Sequence, residues 1–207
     1  VSSQRILPGD AGTYTLDTNG AYTLVVTRSG YVGQKIDLIA GEANKNIAVK
    51  LEKAPDNTHK DILQPGDWPL FRADSNNNGV VKAATPIKAE DAVLVWANQT
   101  GEGYGSSAVS NPIIAGGYLY AYARNQIMKF DKDTGAVVAS GTMVASSSFA
   151  INSPTYADGM IFVGLSNGRV QAFDAETLEP LWVYTDPLGG QPNCPIAYCD
   201  GYIYTGF

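Results

Sequence analysis

Histidine is almost absent from this chain, and with it goes most of what catalysis and metal binding draw on. One histidine, His59, stands among 207 residues, beside two cysteines, Cys194 and Cys199. A single imidazole in a polar stretch builds neither a multi-histidine metal site nor a Ser-His-Asp triad. Positive charge is also scarce. Lys and Arg number 14 against 20 Asp and Glu, a formal net charge of −6. An acidic surface repels phosphate, which argues against nucleic acid and anionic membrane as partners. No apolar run reaches the roughly 20 residues of a membrane-spanning helix. The chain opens at Val1 without a signal peptide. We read Val1 as a processed or engineered start, so the missing signal does not argue against secretion.

The two cysteines are five positions apart. Extended chain of that length spans roughly 16 Å, and a disulfide needs Cα atoms within about 6 Å. A bridge therefore requires a sharp bend. The other reading is two small buried residues on adjoining strand segments. A two-cysteine zinc site lacks a nearby histidine.

What the chain has is Gly, Tyr, Thr and Val, a composition of strands and tight turns. Residues 1–53 form a first module. Tyr14–Leu16 leads through Asn19-Gly20, a hairpin signal, into Ala21–Thr27. Ile36–Ile39 and Ile47–Leu51 alternate in the same way. The expectation is a small antiparallel β-sandwich of about four strands. The run Gly20–Thr27, then Gly30-Tyr31 and a strand ending in Val49-Lys50-Leu51, resembles the carboxypeptidase-regulatory-like (prealbumin-like) modules of bacterial surface proteins. Residues 54–66 are polar, carry Pro55 and Pro65, and are expected to be an exposed linker.

Residues 67–207 carry an internal repeat. Ser110-Asn111-Pro112 aligns with Asn152-Ser153-Pro154 and Asn193-Cys194-Pro195. Gly117, Gly159 and Gly201 are 42 residues apart, each opening an apolar strand. Phe130–Gly135 aligns with Phe173–Leu178. A period of roughly 40–45 residues built of short strands is the size of one four-stranded propeller blade. The four strands are expected after the Pro, at Tyr118–Ala123 or Met160–Leu165, at Ile127–Phe130 or Val170–Phe173, and at Ala136–Ser140 or Pro180–Tyr184. Ala92–Trp96 is a further expected strand ahead of the first repeat. The fold class is thus all-β: a small sandwich, then an incomplete propeller of two full blades and partial ones.

The opening Trp68-Pro69-Leu70-Phe71-Arg72, the Leu94-Val95-Trp96 strand, Asp158–Phe162 and the Phe173–Thr177 turn followed by Leu181-Trp182 resemble the quinoprotein-like, or PQQ-repeat, β-propeller family. The resemblance spans about 67–207. It implies a propeller and leaves quinone binding open, since many members of that superfamily carry no cofactor. Asp131 with Thr134, and Asp174 with Thr177, are expected to bond turn backbone, and Trp182 to pack between blades. Val138 stands at Trp182's place in the first repeat and weakens docking there.

Two further groups are candidate sites. Asp74, Asn76 and Asn78 place oxygens at alternate positions before Gly79, as calcium loops do, but Thr85 stands where the bidentate acid belongs. A polar turn is the other reading. Tyr118, Tyr120 and Tyr122 share one strand face, and with Tyr104, Tyr156 and Tyr198 could make a sugar-binding platform or pack between blades.

These readings favour a non-catalytic extracellular or cell-surface module that presents a protein- or glycan-binding surface, with no cofactor. One alternative is a piece of a quinoprotein dehydrogenase, with PQQ and calcium held by blades elsewhere. The other is a purely structural surface module. In a closed ring, Val93–Trp96 is expected as the outer strand of the final blade. Its partners would come from the longer polypeptide or another copy.

Overall fold

The computed structural model describes residues 21–26, 28, 31–38, 47–53, 61–80, 82, 84–101, 109–147, 152–199 and 201–207. The chain divides into two compact units, Val1–Asp56 and Asn57–Phe207. In the first unit, β1 (Tyr22–Val26) pairs antiparallel with β2 (Gln34–Leu38). Residues 47–51, expected as a strand, belong to no ladder. Chain nearby is held by a bridge between Tyr31 and Lys53 and by Val32 N–H donating to the Glu52 carbonyl at 2.9 Å. The Asn19-Gly20 turn and Tyr14–Leu16 lie outside the described residues.

The second unit is built on the repeat. Strands β3 (Ile113–Ala115), β4 (Tyr118–Ala123), β5 (Gln126–Asp131) and β6 (Val137–Thr142) form one four-stranded antiparallel meander. Strands β7 (Thr155–Ala157), β8 (Met160–Leu165), β9 (Arg169–Asp174) and β10 (Pro180–Thr185) form the second. β11 (Ala197–Cys199) and β12 (Tyr202–Tyr204) start a third sheet. These are propeller blades, hereafter the first, second and third. Their first strands run closest together, β3 beside β7 and β7 beside β11. The one helical element among the described residues is a 3₁₀ turn at Ala89–Asp91.

The second blade buries side chains on both faces. On β8, Ile161, Val163 and Leu165 point toward the first blade, and Phe162 points toward the third. Alternation of side chains across a strand sends neighbouring residues to opposite layers. That is why Met160–Leu165 reads as a continuous apolar run rather than an alternating one.

The register corrects one reading of the repeat. Phe130 pairs with Val137 and Lys129 with Ala139; Phe173 pairs with Pro180 and Ala172 with Trp182. Both blades carry the same bulge, with Val138 and Leu181 as the extra residues. The residue at Trp182's place is therefore Ala139, not Val138. A bulge puts two residues opposite one and shifts every later position by one.

A second correction concerns Ala92–Trp96. This stretch sits in no ladder among the described residues, and Val93, Leu94 and Val95 are 81%, 80% and 74% exposed. Apolar alternation supplies strand propensity, but a strand exists only beside a partner. Trp96 is nevertheless fixed. Its Nε1–H donates to the Lys132 carbonyl at 2.9 Å, and its ring stacks on Phe130 at 6.2 Å between centroids. A Cβ on Gly135 would stand 2.5 Å from the indole, and Gly135 has φ of +72°. Gly135→Leu therefore meets both a clash and a left-handed backbone. We expect it to cost about 2–4 kcal/mol. Urea unfolding followed by tryptophan fluorescence reads the change, and an unaltered midpoint would show that Trp96 is not seated there.

Candidate functional site

The repeat acids work alike in both blades. Asp131 Oδ1 accepts from Asp133 N–H at 3.1 Å, Thr134 N–H at 2.8 Å and Thr134 Oγ1–H at 2.8 Å. Asp174 Oδ1 accepts from Glu176 N–H at 2.9 Å, Thr177 N–H at 2.8 Å and Thr177 Oγ1–H at 3.1 Å. Each threonine hydroxyl then receives a backbone N–H, from Ala136 and from Glu179. One oxygen of each acid is thus committed to holding the β5–β6 or β9–β10 turn, which leaves the pair little scope as catalytic groups.

The tyrosines gather at the joint between the first two blades. Tyr120 and Tyr156 are buried, at 0% and 2% exposure, so neither offers a ring face to a sugar. Tyr120 Oη–H donates to the Ala175 carbonyl at 2.8 Å. Tyr156 Oη accepts from Ile62 N–H at 3.2 Å and donates to Asp61 at 3.3 Å. Tyr122 Oη–H donates to the Asn152 carbonyl at 2.6 Å. Burial pushes the Tyr122 hydroxyl up to about 12 and raises Tyr120 and Tyr156 as well. Tyr118 is half-buried, and Tyr104 and His59 lie outside the described residues. Tyr198 sits at the other joint, stacked on Phe162 with its hydroxyl on Asp158.

Residues 61–69 attach to the same region. Trp68 exchanges two backbone hydrogen bonds of 2.9 Å with Ile114 on β3, and the Pro69 carbonyl accepts from Tyr156 N–H at 2.8 Å. The Asp67 carboxylate accepts from Gln64 N–H at 2.9 Å and Gly116 N–H at 2.7 Å. The free edge of β3 is thereby covered at Trp68.

Lys129 was not foreseen from the sequence. It lies 5% exposed on β5, with Nζ donating to the carbonyls of Ala175 at 3.2 Å and Glu176 at 3.0 Å. The ammonium stands 4.0 Å above the centroid of Tyr118. Burial lowers its pKa. The carboxylates of Glu176 and Asp174 oppose that shift, and carbonyl oxygens and a ring face take the place of water. The second blade has Ala172 at this position, so the latch serves one joint only.

The possible calcium loop folds on itself. Asp74 Oδ1 accepts from Asn76 N–H at 2.9 Å, and the Asp74 carbonyl receives Asn77 N–H. Asp74, Asn76 and Asn78 are all exposed. Cys194 and Cys199 are free thiols, and both are exposed rather than buried. A cleft of about 820 Å³ lies beside β10, lined by Trp182, Tyr184, Leu188, Ile203, Tyr204 and Phe207 among others. Trp182 stands there 40% exposed, tilted against Phe162 at 5.8 Å.

Two substitutions test these assignments. Lys129→Met removes two charge-assisted bonds and is expected to cost about 1–3 kcal/mol, read by urea unfolding. A neutral result would mean that the joint holds without the latch. The Thr134 hydroxyl, foremost, and the turn amides hold Asp131 below its ordinary pKa of 3.8. A carboxyl with a depressed folded value contributes stability above its unfolded value and loses it as pH falls through the folded one. The stability gap between wild type and Asp131→Asn should therefore be widest above pH 3.8 and close on further acidification. A gap independent of pH would contradict the charge-dependent cap.

Comparison with known proteins was made on this geometry. Residues 77–205 match the family described as outer membrane protein assembly factor BamB. A curated protein of that name from Francisella salina is 29% identical over 90 residues, which is 43% of this chain and 16% of the relative. The chain thus spans about a sixth of that relative's length. Among solved structures, BamB from Moraxella catarrhalis superposes with a TM-score of 0.37 at 22% identity, covering 45% of this chain and 29% of that one. Quinohemoprotein alcohol dehydrogenase from Comamonas testosteroni superposes with a TM-score of 0.47 at 20% identity, covering 63% and 21%. With more than half of its residues matched by one family, the chain belongs to the outer membrane protein assembly factor BamB family of PQQ-type repeat propellers.

Proposed function

We propose that these blades are part of a non-catalytic scaffold that holds protein partners during assembly of outer membrane proteins at the bacterial cell envelope. The observation that carries this reading is the family match over residues 77–205. The chemistry of the chain agrees with it. The repeat acids cap turns, Tyr120, Tyr122 and Tyr156 at the first joint are buried, and one exposed apolar area lies on β10 and in the cleft beside it. Flat apolar and aromatic surface with few charges suits protein contacts better than small polar substrates. The same reading gives these blades no quinone, and it makes residues 1–53 a spacer of the carboxypeptidase-regulatory-like kind.

Site-specific photo-crosslinking tests the proposal in the source bacterium. A benzophenone side chain at exposed Leu181 or Tyr204 should yield adducts with envelope proteins, while one at exposed Lys88, far along the chain in an acidic 3₁₀ turn, should yield fewer. Equal or no adducts at all three positions would defeat the protein-binding reading. Stoichiometric PQQ uptake with alcohol oxidation by the whole protein would replace it with the dehydrogenase reading.

A further inference from the structure

We propose that residues 61–69 are a clasp on which the first joint depends, with Asp61 and Ile62 standing in for an acid that the second joint draws from its own blade. Lifting this segment loosens the first two blades.

The two joints differ at one place. At the second joint, Tyr198 on β11 donates its hydroxyl to Asp158, in the β7–β8 turn of the blade before it. At the first joint Tyr156 stands 42 residues ahead of Tyr198, and Gly116 stands 42 residues ahead of Asp158. Glycine has no oxygen to offer. Tyr156 Oη–H goes instead to Asp61 Oδ1 at 3.3 Å, and Tyr156 Oη accepts from Ile62 N–H at 3.2 Å. Leu63 N–H donates to the same Asp61 oxygen at 3.1 Å and orients it.

The glycine at 116 follows from the clasp and not from the backbone. Gly116 has φ of +62° and Asp158 φ of +48°, a region that aspartate tolerates better than most residues. Space decides. A Cβ on Gly116 would stand 2.8 Å from Ile62 Cβ and 2.9 Å from the Ile62 carbonyl oxygen. Ile62 in turn packs on the core shared by the first two blades. It fills the room that a turn acid would need, and its neighbour Asp61 supplies the carboxylate.

The rest of the clasp grips both blades. On the first, Asp67 accepts from Gly116 N–H and Trp68 exchanges two backbone bonds with Ile114. On the second, the Pro69 carbonyl accepts from Tyr156 N–H. These contacts all fall on the first strands and the turn after β3, not on a fourth strand. The segment also lies ahead of the residues, 77–205, that match the family.

The test is hydrogen exchange on variants of the full 207-residue chain. The Val144 amide, which donates to Gln171 across the joint at 2.8 Å, reports on the joint, and β8 and β9 report on the blade. Asp61→Ala with Ile62→Gly should speed exchange at Val144 about tenfold and leave β8 and β9 unchanged. Adding Gly116→Asp to that pair should return Val144 to within about threefold of wild type, because the turn acid then meets Tyr156 as Asp158 meets Tyr198. Gly116→Asp alone, with Ile62 in place, should unseat the clasp and speed exchange at Ile114 and Tyr156. Asp61→Asn, which keeps an acceptor oxygen, should exchange like wild type. A Val144 rate unmoved by the double variant would overturn the proposal. So would a triple variant that exchanges as fast as the double. Should the double variant also loosen β8 and β9, Gly116→Asp must restore them together with Val144, and failure to do so counts equally against the clasp. None of these outcomes bears on the crosslinking test of partner binding.

Discussion

The second blade has two apolar faces, and neither can be left in water. A four-stranded sheet that buries side chains on both sides must find a matching layer on each. On β8 and β9, Ile161, Val163, Leu165 and Phe173 go one way, and Phe162, Val170 and Ala172 the other. Hydrophobic burial of this kind supplies most of the driving force for folding. The joints between blades, rather than the hydrogen bonds within them, therefore decide what the rest of the chain can do.

That constraint explains where the polar groups went. The two repeat aspartates close turns at the blade rims. Gln171, fully buried in the first joint, bonds Val144 N–H and the Thr142 carbonyl, which ties the second blade's third strand to chain leaving the first. Lys129 reaches across the same joint to carbonyls that would otherwise face an apolar layer. Buried polar groups are tolerated where their bonds are made, and they fix one arrangement of the two layers. Among the described residues, the titratable groups of the first joint are spent on structure.

The sequence disclosed the blades well and their joints poorly. Tyr118–Ala123 and Met160–Leu165 could be read to the residue, because a glycine turn opens each run and a polar turn closes it. The role of Asp131 and Asp174 was legible too, since Asp-x-x-Thr has a local mechanism. The fourth strands were less so. A bulge leaves no mark in the sequence, and the β4–β5 turn is one residue shorter than the β8–β9 turn, which moves the period from 42 to 43 beyond the hairpin. Lys129 escaped because a lysine between apolar neighbours ordinarily reads as a solvent-facing position. The tyrosines left two readings open, since alternation tells which residues share a face and not what that face meets.

The joints also differ from one another in a way that one physical rule accounts for. Close packing requires the volume brought by the fourth strand and by the next blade's turn to be complementary. Trp96 is large, and the turn beneath it is Gly135. Ala139 and Gly141 are small, and the turn that settles on them carries buried Leu178. Exchange of large and small between two facing positions keeps the layer filled while each blade keeps its backbone. Trp182 and Tyr184 on β10 are large again, and the cleft beside them remains open in the described structure. Reading Val138 at Trp182's place would hide this pattern. Once Ala139 is put in its place, a first repeat that looked weakened becomes one whose missing bulk is supplied from the other side.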